Sequence, residues 1–334
     1  SSRSTVGTLS GVYDSFRLLY SRISQHQGTI FTAQHFSYNH HLGACPTCEG
    51  LGVLRVCDPN EVIIASNQSI FEGAVSVNKA IGYYADGNGQ FMATLKEVAK
   101  QKNWKIDRPW EQLEDEVKEV ILYGTGDAIW NVTWIYNTKS RRGWQSLSTK
   151  WLGLCNYIDD EYQRKRRNKN IKVLEELMHD VVCPVCNGSR LKPELLVIQF
   201  LGHNIHELSR LSIVSCLELI EPLNYQQKST VLYNEGLVNA VELAISKVVL
   251  PGVTKTLKTI VDLGLGYLNL NRAISTLSGG ERQRISLAGQ LATKLFGVTY
   301  VMDEPTIGLD SVQIDVLCKL LQQIVKNGNT VVVV

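Results

Sequence analysis

Apolar residues recur along this chain with two different periods, and the period changes mark its parts. Spacings of three and four, the mark of a helix with one buried face, predict helices at residues 12–23, 95–102, 111–122, 212–219, 231–246 and 312–326. The stretch 255–263 leads into Gly264-Leu265-Gly266-Tyr267. Farther on, Ile285, Ala288, Leu291 and Ala292 fall on one face of another helix. Alternation predicts a strand at 128–137, and a short apolar run allows one at 195–201. Residues 298–302 read as a buried strand. Residues 330–334 read as its parallel neighbour, entered after the helix stop Asn327-Gly328-Asn329. Such a strand–helix–strand unit is expected to be right-handed.

The chemistry concentrates where the helical and strand patterns meet. Ser278-Gly279-Gly280-Glu281 opens the helix carrying Ile285. Glycines admit close approach of a ligand to the backbone, and a helix N-terminus offers unpaired N–H groups to phosphate. An ordinary capping box, Ser278 with Glu281, explains the same letters, and the two roles can coexist. Asp303-Glu304-Pro305 ends the strand at 298–302, where open α/β sheets bind ligands. One carboxylate there suits Mg²⁺ and the next suits activation of a water. Asp303 is assigned to magnesium and Glu304 to the base role, against a plain solvated turn. Together, Leu277-Ser278-Gly279-Gly280-Glu281-Arg282-Gln283 and the carboxylate strand followed by Gly308-Leu309-Asp310 form the pattern of an ATP-binding-cassette (ABC) ATPase.

Four of the eight cysteines form two pairs, Cys45-Pro46-Thr47-Cys48 and Cys183-Pro184-Val185-Cys186, each followed by a glycine turn. The matched shape suggests two zinc knuckles closing one four-thiolate Zn²⁺ site; a redox dithiol or buried thiols are the alternatives. Cys57, Cys155, Cys216 and Cys318 have no partner pattern. His40 and His41 lie near the first knuckle but are not expected as ligands.

The stretch between the knuckles differs in composition. All six tryptophans fall there, which marks a separate domain with its own core. Two basic clusters lie in it: Lys139, Arg141 and Arg142, then Arg164, Lys165, Arg166, Arg167, Lys169 and Lys172. Such clusters can neutralise DNA phosphates without reading sequence, or can be solvated faces. Lys150 extends the surface. Trp144 reads as core, with a stacking role as the alternative. The net charge of +2 means any basic surface is local. No apolar run is long enough to span a bilayer and no signal-peptide pattern is present, so a cytoplasmic protein is expected.

The chain resembles the UvrA family of excision-repair ATPases. The resemblance rests on Arg3-Ser4-Thr5-Val6-Gly7-Thr8, on Phe36-Ser37-Tyr38-Asn39 ahead of the first knuckle with Glu49-Gly50-Leu51-Gly52, and on Val120-Ile121-Leu122-Tyr123-Gly124-Thr125-Gly126. It continues through the second knuckle with Asn187-Gly188-Ser189-Arg190-Leu191, through residues 261–268, and through the signature and carboxylate motifs. It implies a partial α/β ABC-ATPase-like fold with a helical signature subdomain, a four-cysteine zinc module and an inserted α+β domain. The implied boundaries are the start of the signature subdomain at 1–35, the knuckles at 36–59 and 173–200, and a DNA-contacting insertion at 60–172. The rest of the signature subdomain takes 201–296, and part of the ATP-binding core takes 297–334.

The resemblance further implies that Ser278, Gly279, Gly280 and Gln283 meet ATP held by another cassette. Asp303 and Glu304 would serve ATP in their own cassette, and Asp310 would lie at the interface between cassettes. Expected partners are DNA of any sequence and a second cassette or a second copy. No Gly-rich phosphate loop with its lysine occurs in the chain, so it is expected to be part of a larger cassette. Only residues 24–35 join the first long helix to Phe36, where repair members carry a UvrB-binding module. The expected function is recognition of distorted DNA in excision repair. The alternatives are a UvrA-like drug-resistance protein binding a drug or DNA–drug adduct, and a zinc nucleic-acid module without its own ATPase activity. The zinc knuckles and tryptophan-rich insertion argue against a membrane transporter's ATPase.

Overall fold

The structure is a computed structural model and describes residues 3–26, 28, 30–137, 142–165, 171–292 and 296–334. The chain divides into two compact units, one made of Ser1–Gly52 with Val182–Val334, the other of Val53–Val181.

The first unit begins with α1 (Val6–Leu9) and α2 (Val12–His26). Thr5 caps α1 in a reciprocal pair with Thr8. On α2, Tyr13, Phe16, Leu19, Tyr20 and Ile23 share a face by their spacing, and all five are buried.

The second unit opens with β1 (Val53–Cys57), followed by α3 (Pro59–Val62), α4 (Lys79–Tyr84), α5 (Gln90–Lys102) and α6 (Asp115–Tyr123). Next comes a hairpin of β2 (Trp130–Asn137) and β3 (Arg142–Thr149), then α7 (Leu154–Lys165), α8 (Lys172–Glu175) and β4 (Met178–Val182). β4 returns to pair with β1, which carries the unit beyond the tryptophan-bearing stretch on both sides. The hairpin is antiparallel, from Trp130 opposite Thr149 to Asn137 opposite Arg142. The core gathers Ile81, Met92, Leu95, Val98, Ile121, Leu154 and Ile158 around Trp151, whose indole donates to the Val120 carbonyl at 2.7 Å. Gly124 ends α6 where a Cβ would lie 2.3 Å from the Leu152 carbonyl oxygen, so only glycine fits.

The first unit resumes with α9 (Ile205–Arg210), α10 (Ile213–Ile220), α11 (Gln226–Asn234), α12 (Ala240–Asp262) and α13 (Gly279–Ala292). β5 (Thr299–Met302), α14 (Ser311–Lys326) and β6 (Thr330–Val333) follow, with β5 and β6 paired in parallel from Thr299 opposite Thr330 to Met302 opposite Val333. α2, α10, α12 and α13 enclose the core through residues such as Phe16, Ile213, Leu257 and Ile285.

Several local expectations change. Residues 195–201 form no strand: a 3-10 turn at Pro193–Leu195 and a tight Phe200–His203 bridge take their place. Proline removes an N–H there, and Gly202 turns the chain at a φ of 74°. Residues 231–246 are not one helix. α11 ends at Asn234, Gly236 takes a left-handed φ of 72°, and Asn239 with Glu242 caps a new start. α12 then continues through Pro251 to Asp262, because buried Leu250, Val253, Leu257 and Ile260 hold it despite the lost N–H. The strand at 298–302 is buried only at Met302; Val301 is 68% exposed. Trp144 is not core: it lies on the outer side of the hairpin opposite Ile135, 71% exposed.

Candidate functional sites

The two knuckles come together. The Sγ atoms of Cys45, Cys48, Cys183 and Cys186 lie within 4.8 Å of one another, and all four residues are buried. Cys45 and Cys183 are 4.0 Å apart at sulfur, Cys48 and Cys186 3.6 Å. Tetrahedral zinc–thiolate bonds of about 2.3 Å require sulfur separations of about 3.8 Å, so the set fits zinc. Backbone bonds hold the knuckles together: Cys45 N–H donates to the Arg190 carbonyl at 2.9 Å, and Cys183 N–H to the Gly52 carbonyl at 3.0 Å. The turns match residue for residue, Glu49-Gly50 and Asn187-Gly188 all being left-handed. At Gly50 a Cβ would lie 2.0 Å from the Tyr38 carbonyl oxygen.

The thiols are unevenly tuned. Burial pushes Cys186 up to about 12 and raises Cys48. Burial also opposes ionisation of Cys183, but N–H groups of Cys186 and Val185 overcome it and hold that thiol below its ordinary value. Only a cation would keep four such sulfurs ionised side by side. The His40 and His41 rings lie 4.3 Å apart, tilted by 32°, and stand outside the sulfur group.

At the glycine motif the capping box is present. Glu281 N–H donates to Ser278 Oγ at 3.2 Å, and the Ser278 N–H donates to Glu281 Oε2 at 2.7 Å. The Tyr267 hydroxyl donates to the other carboxylate oxygen. These donors, Tyr267 first, hold the Glu281 carboxyl below its usual range. The glycines are a different matter. A Cβ on Gly279 or Gly280 would meet nothing within 4 Å, and neither has a left-handed φ. The fold itself does not require glycine there.

One turn on, Gln283 Oε1 and Arg284 Nε are buried without a hydrogen-bond partner among the described residues. The sequence motifs alone pass over Arg284, which is 7% exposed. The signal was available: a charge at i−4 from Ala288 stands on the helix's apolar face.

Asp303 and Glu304 are exposed at the end of β5. Glu304 takes a left-handed φ of 44° while its N–H donates to the Val334 carbonyl at 2.9 Å. A non-glycine residue held this way stores about 1–3 kcal/mol of strain. Asp310 caps α14, accepting from Gln313 N–H at 2.8 Å. Among the described residues, no hydrogen bond links the glycine turn to Asp303, Glu304 or Asp310.

In the second unit, Arg164 and Lys165 form the exposed last turn of α7. Lys165 pairs with Glu161, and Arg164 Nε donates to the Asp160 carbonyl at 3.3 Å. Lys150 is engaged by Asp127 at 2.8 Å, which holds that carboxyl below its usual range. Arg142 is the first residue of β3. Arg141, Arg166, Arg167 and Lys169 lie outside the described residues. Among the described residues, no helix is long and apolar enough to cross a membrane.

Comparison with known proteins agrees with this layout. Residues 58–176 match the UvrA DNA-binding domain family. The chain is 33% identical over 303 residues to UvrABC system protein A of Methanothermobacter thermautotrophicus, covering 90% of this chain and 29% of that protein. It is 35% identical over 299 residues to the protein of the same name from Mesorhizobium japonicum, again covering 90% and 29%. The crystal structure of UvrA2 from Deinococcus radiodurans superposes with a TM-score of 0.67 at 28% identity, over 100% of this chain and 41% of that one. The chain thus spans under a third of the length of these curated relatives. The cysteine cluster, the domain match within the second unit and the relatives that match on either side of it thus make the chain similar to UvrA proteins over nine tenths of its length.

Proposed function

We propose that this chain is the signature half of a UvrA-like ABC ATPase that recognises distorted DNA during excision repair. The observation that carries the reading is the match of residues 58–176 to a DNA-binding domain in the unit that follows the first knuckle. The insertion would hold DNA through phosphates, with Arg142, Arg164 and Lys165 among the contacts and Arg141, Arg166, Arg167 and Lys169 beside them in sequence. Specificity then comes from how easily the duplex deforms and not from base edges.

Ser278, Gly279, Gly280 and Gln283 would meet the γ-phosphate of ATP held by a second cassette or a second copy. Support comes from two glycines at the start of α13 that the fold leaves bare. In its own cassette Asp303 would hold Mg²⁺, which neutralises developing phosphate charge, and Glu304 would orient the attacking water. Asp310 would sit where cassettes meet. The four cysteines would hold a structural Zn²⁺. The family works with UvrB, and the short 24–35 connection is where this chain differs from members carrying a UvrB-binding module.

The test is DNA binding by fluorescence anisotropy across a salt series. Unrelated duplex sequences are expected to bind alike, a distorted duplex more tightly, and affinity should fall steeply with salt. Neutralising Arg164, Arg166 and Arg167 together should flatten the slope by roughly one per lost phosphate contact. A chain that binds no DNA at low salt, or a slope the triple variant leaves unchanged, refutes the reading.

A further inference from the structure

The second unit carries a cleft of about 660 Å³ between α4, the last turn of α7 and α8. Its inner wall is Tyr84, 5% exposed and stacked on Tyr157 with ring centres 4.9 Å apart and planes 10° apart. At its mouth stands Tyr83, 64% exposed. Two neighbours fix that ring, Tyr84 at 5.2 Å and Phe91 at 5.5 Å, both edge-to-face. A large aromatic ring held in one orientation while mostly in solvent is a preformed stacking surface. The α4 wall is braced across the cleft: the Asn78 amide donates to the Val173 carbonyl at 2.9 Å and to Glu176 Oε2 at 3.0 Å.

The cleft's charge is surplus positive. Glu161 is the one carboxylate in its lining; it pairs with Lys165 and also feels the Tyr84 hydroxyl and the Arg164 charge. Lys79 and Arg164 also line it, and neither has a carboxylate within ion-pair distance among the described residues. Arg164 commits its Nε to a backbone carbonyl, and its guanidinium also meets the Tyr84 hydroxyl, which holds it at the cleft wall. A second hollow also has Tyr83, Tyr84 and Arg164 in its lining. Surplus cations beside an aromatic surface suit an anionic planar group, and they disfavour a cationic planar drug.

We propose that this cleft takes one unpaired nucleotide of a DNA strand, its base against Tyr83 and its phosphate against Lys79 and Arg164. The proposal rests on the reading of this unit as DNA-binding. It gives that reading a means of sensing distortion without sequence, since every base has a π-face. A damaged or mismatched site supplies an unpaired base at little cost, whereas an intact duplex must first unstack one.

The experiment compares two duplexes of the same sequence, one fully paired and one with a single unpaired 2-aminopurine, by anisotropy and by 2-aminopurine emission. The whole chain is expected to bind the bulged duplex about tenfold more tightly, with a change in emission on binding. Tyr83→Ala should remove both the preference and the emission change while leaving affinity for the paired duplex within about twofold. Tyr83→Phe, which keeps the ring, should retain both. A preference that survives Tyr83→Ala, or that Tyr83→Phe abolishes equally, overturns the proposal while leaving DNA binding in place. Failure of the unaltered chain to bind either duplex overturns the DNA-binding reading and this proposal with it.

Discussion

Alanine at Gly279 and Gly280 separates what a ligand needs from what the fold needs. Both glycines lie in the first turn of α13, have ordinary φ values, and have open space where a Cβ would sit. Alanine at a compatible helical position restricts the unfolded chain and stabilises by about 0.4–1 kcal/mol, with first-turn positions at the low end. The double change should therefore stabilise the first unit by about 1 kcal/mol, or raise Tm by roughly 2–4 °C for a unit of this size. Gly50→Ala is the internal contrast. Its left-handed φ of 78° and the 2.0 Å approach to the Tyr38 carbonyl oxygen should make it destabilising by at least about 2 kcal/mol.

The assay follows from the division of the chain. All six tryptophans belong to the second unit, so tryptophan fluorescence follows that unit, while far-UV circular dichroism follows both. The alanine variants should move only the transition that tryptophan does not report. In a two-cassette assembly, the same variants should lose the response of DNA binding to ATP. A double variant that destabilises the first unit by about 1 kcal/mol or more would show that the fold demands these glycines, and the phosphate argument would lose its footing.

Cys45→Ser should lower bound zinc from about one per chain towards none, read by metal analysis after dialysis, with a drop in the first unit's stability. Full zinc retention in that variant would exclude the four-thiolate site. Asp310→Ala should cost about 1 kcal/mol by removing the cap of α14, whereas Asp310→Ser should cost little; equal losses in denaturant melts would remove the cap from the account. Asp159→Asn should stabilise the second unit at neutral pH. Burial raises the Asp159 carboxyl, so its contribution is fully present below the ordinary carboxylate range and is lost as pH rises through the raised value. Asparagine keeps an acceptor for the Cys57 N–H, now at 2.7 Å, without the buried charge. The gain should vanish once the pH falls below the ordinary carboxylate range, and urea melts followed by tryptophan emission at both ends of that range decide it.

The meeting of the two knuckles was legible because both pairs carry the same turn letters, and Glu49-Gly50 and Asn187-Gly188 do adopt matching conformations. Long amphipathic runs such as α2 and α14 were legible for the ordinary reason that their buried faces repeat. Residues 195–201 misled because a short apolar run looks the same whether it pairs in a sheet or, as here, packs Leu195, Ile198 and Phe200 into a helical core from a string of turns. Trp144 misled because size and hydrophobicity predict burial, while its side is set by register against Ile135, which no local pattern reveals. Tyr83 carried no signal at all. One of two adjacent tyrosines in a six-residue helix has no periodicity, and its placement depends on packing against Phe91 of the next helix, α5.

The sulfur cluster also acts on the chain as a polymer. With Zn²⁺ bound it would tie together positions 138 residues apart, Cys45 and Cys183. By the chain-entropy relation for cross-links, a closure of that length takes about 5 kcal/mol from the unfolded ensemble. That quantity depends on the logarithm of loop length, so doubling the stretch between the knuckles would change it by only about 0.6 kcal/mol. A zinc-bound scaffold would therefore be nearly indifferent to how much protein is threaded between its two halves. Insert size is left free to follow the object that the insert must grasp.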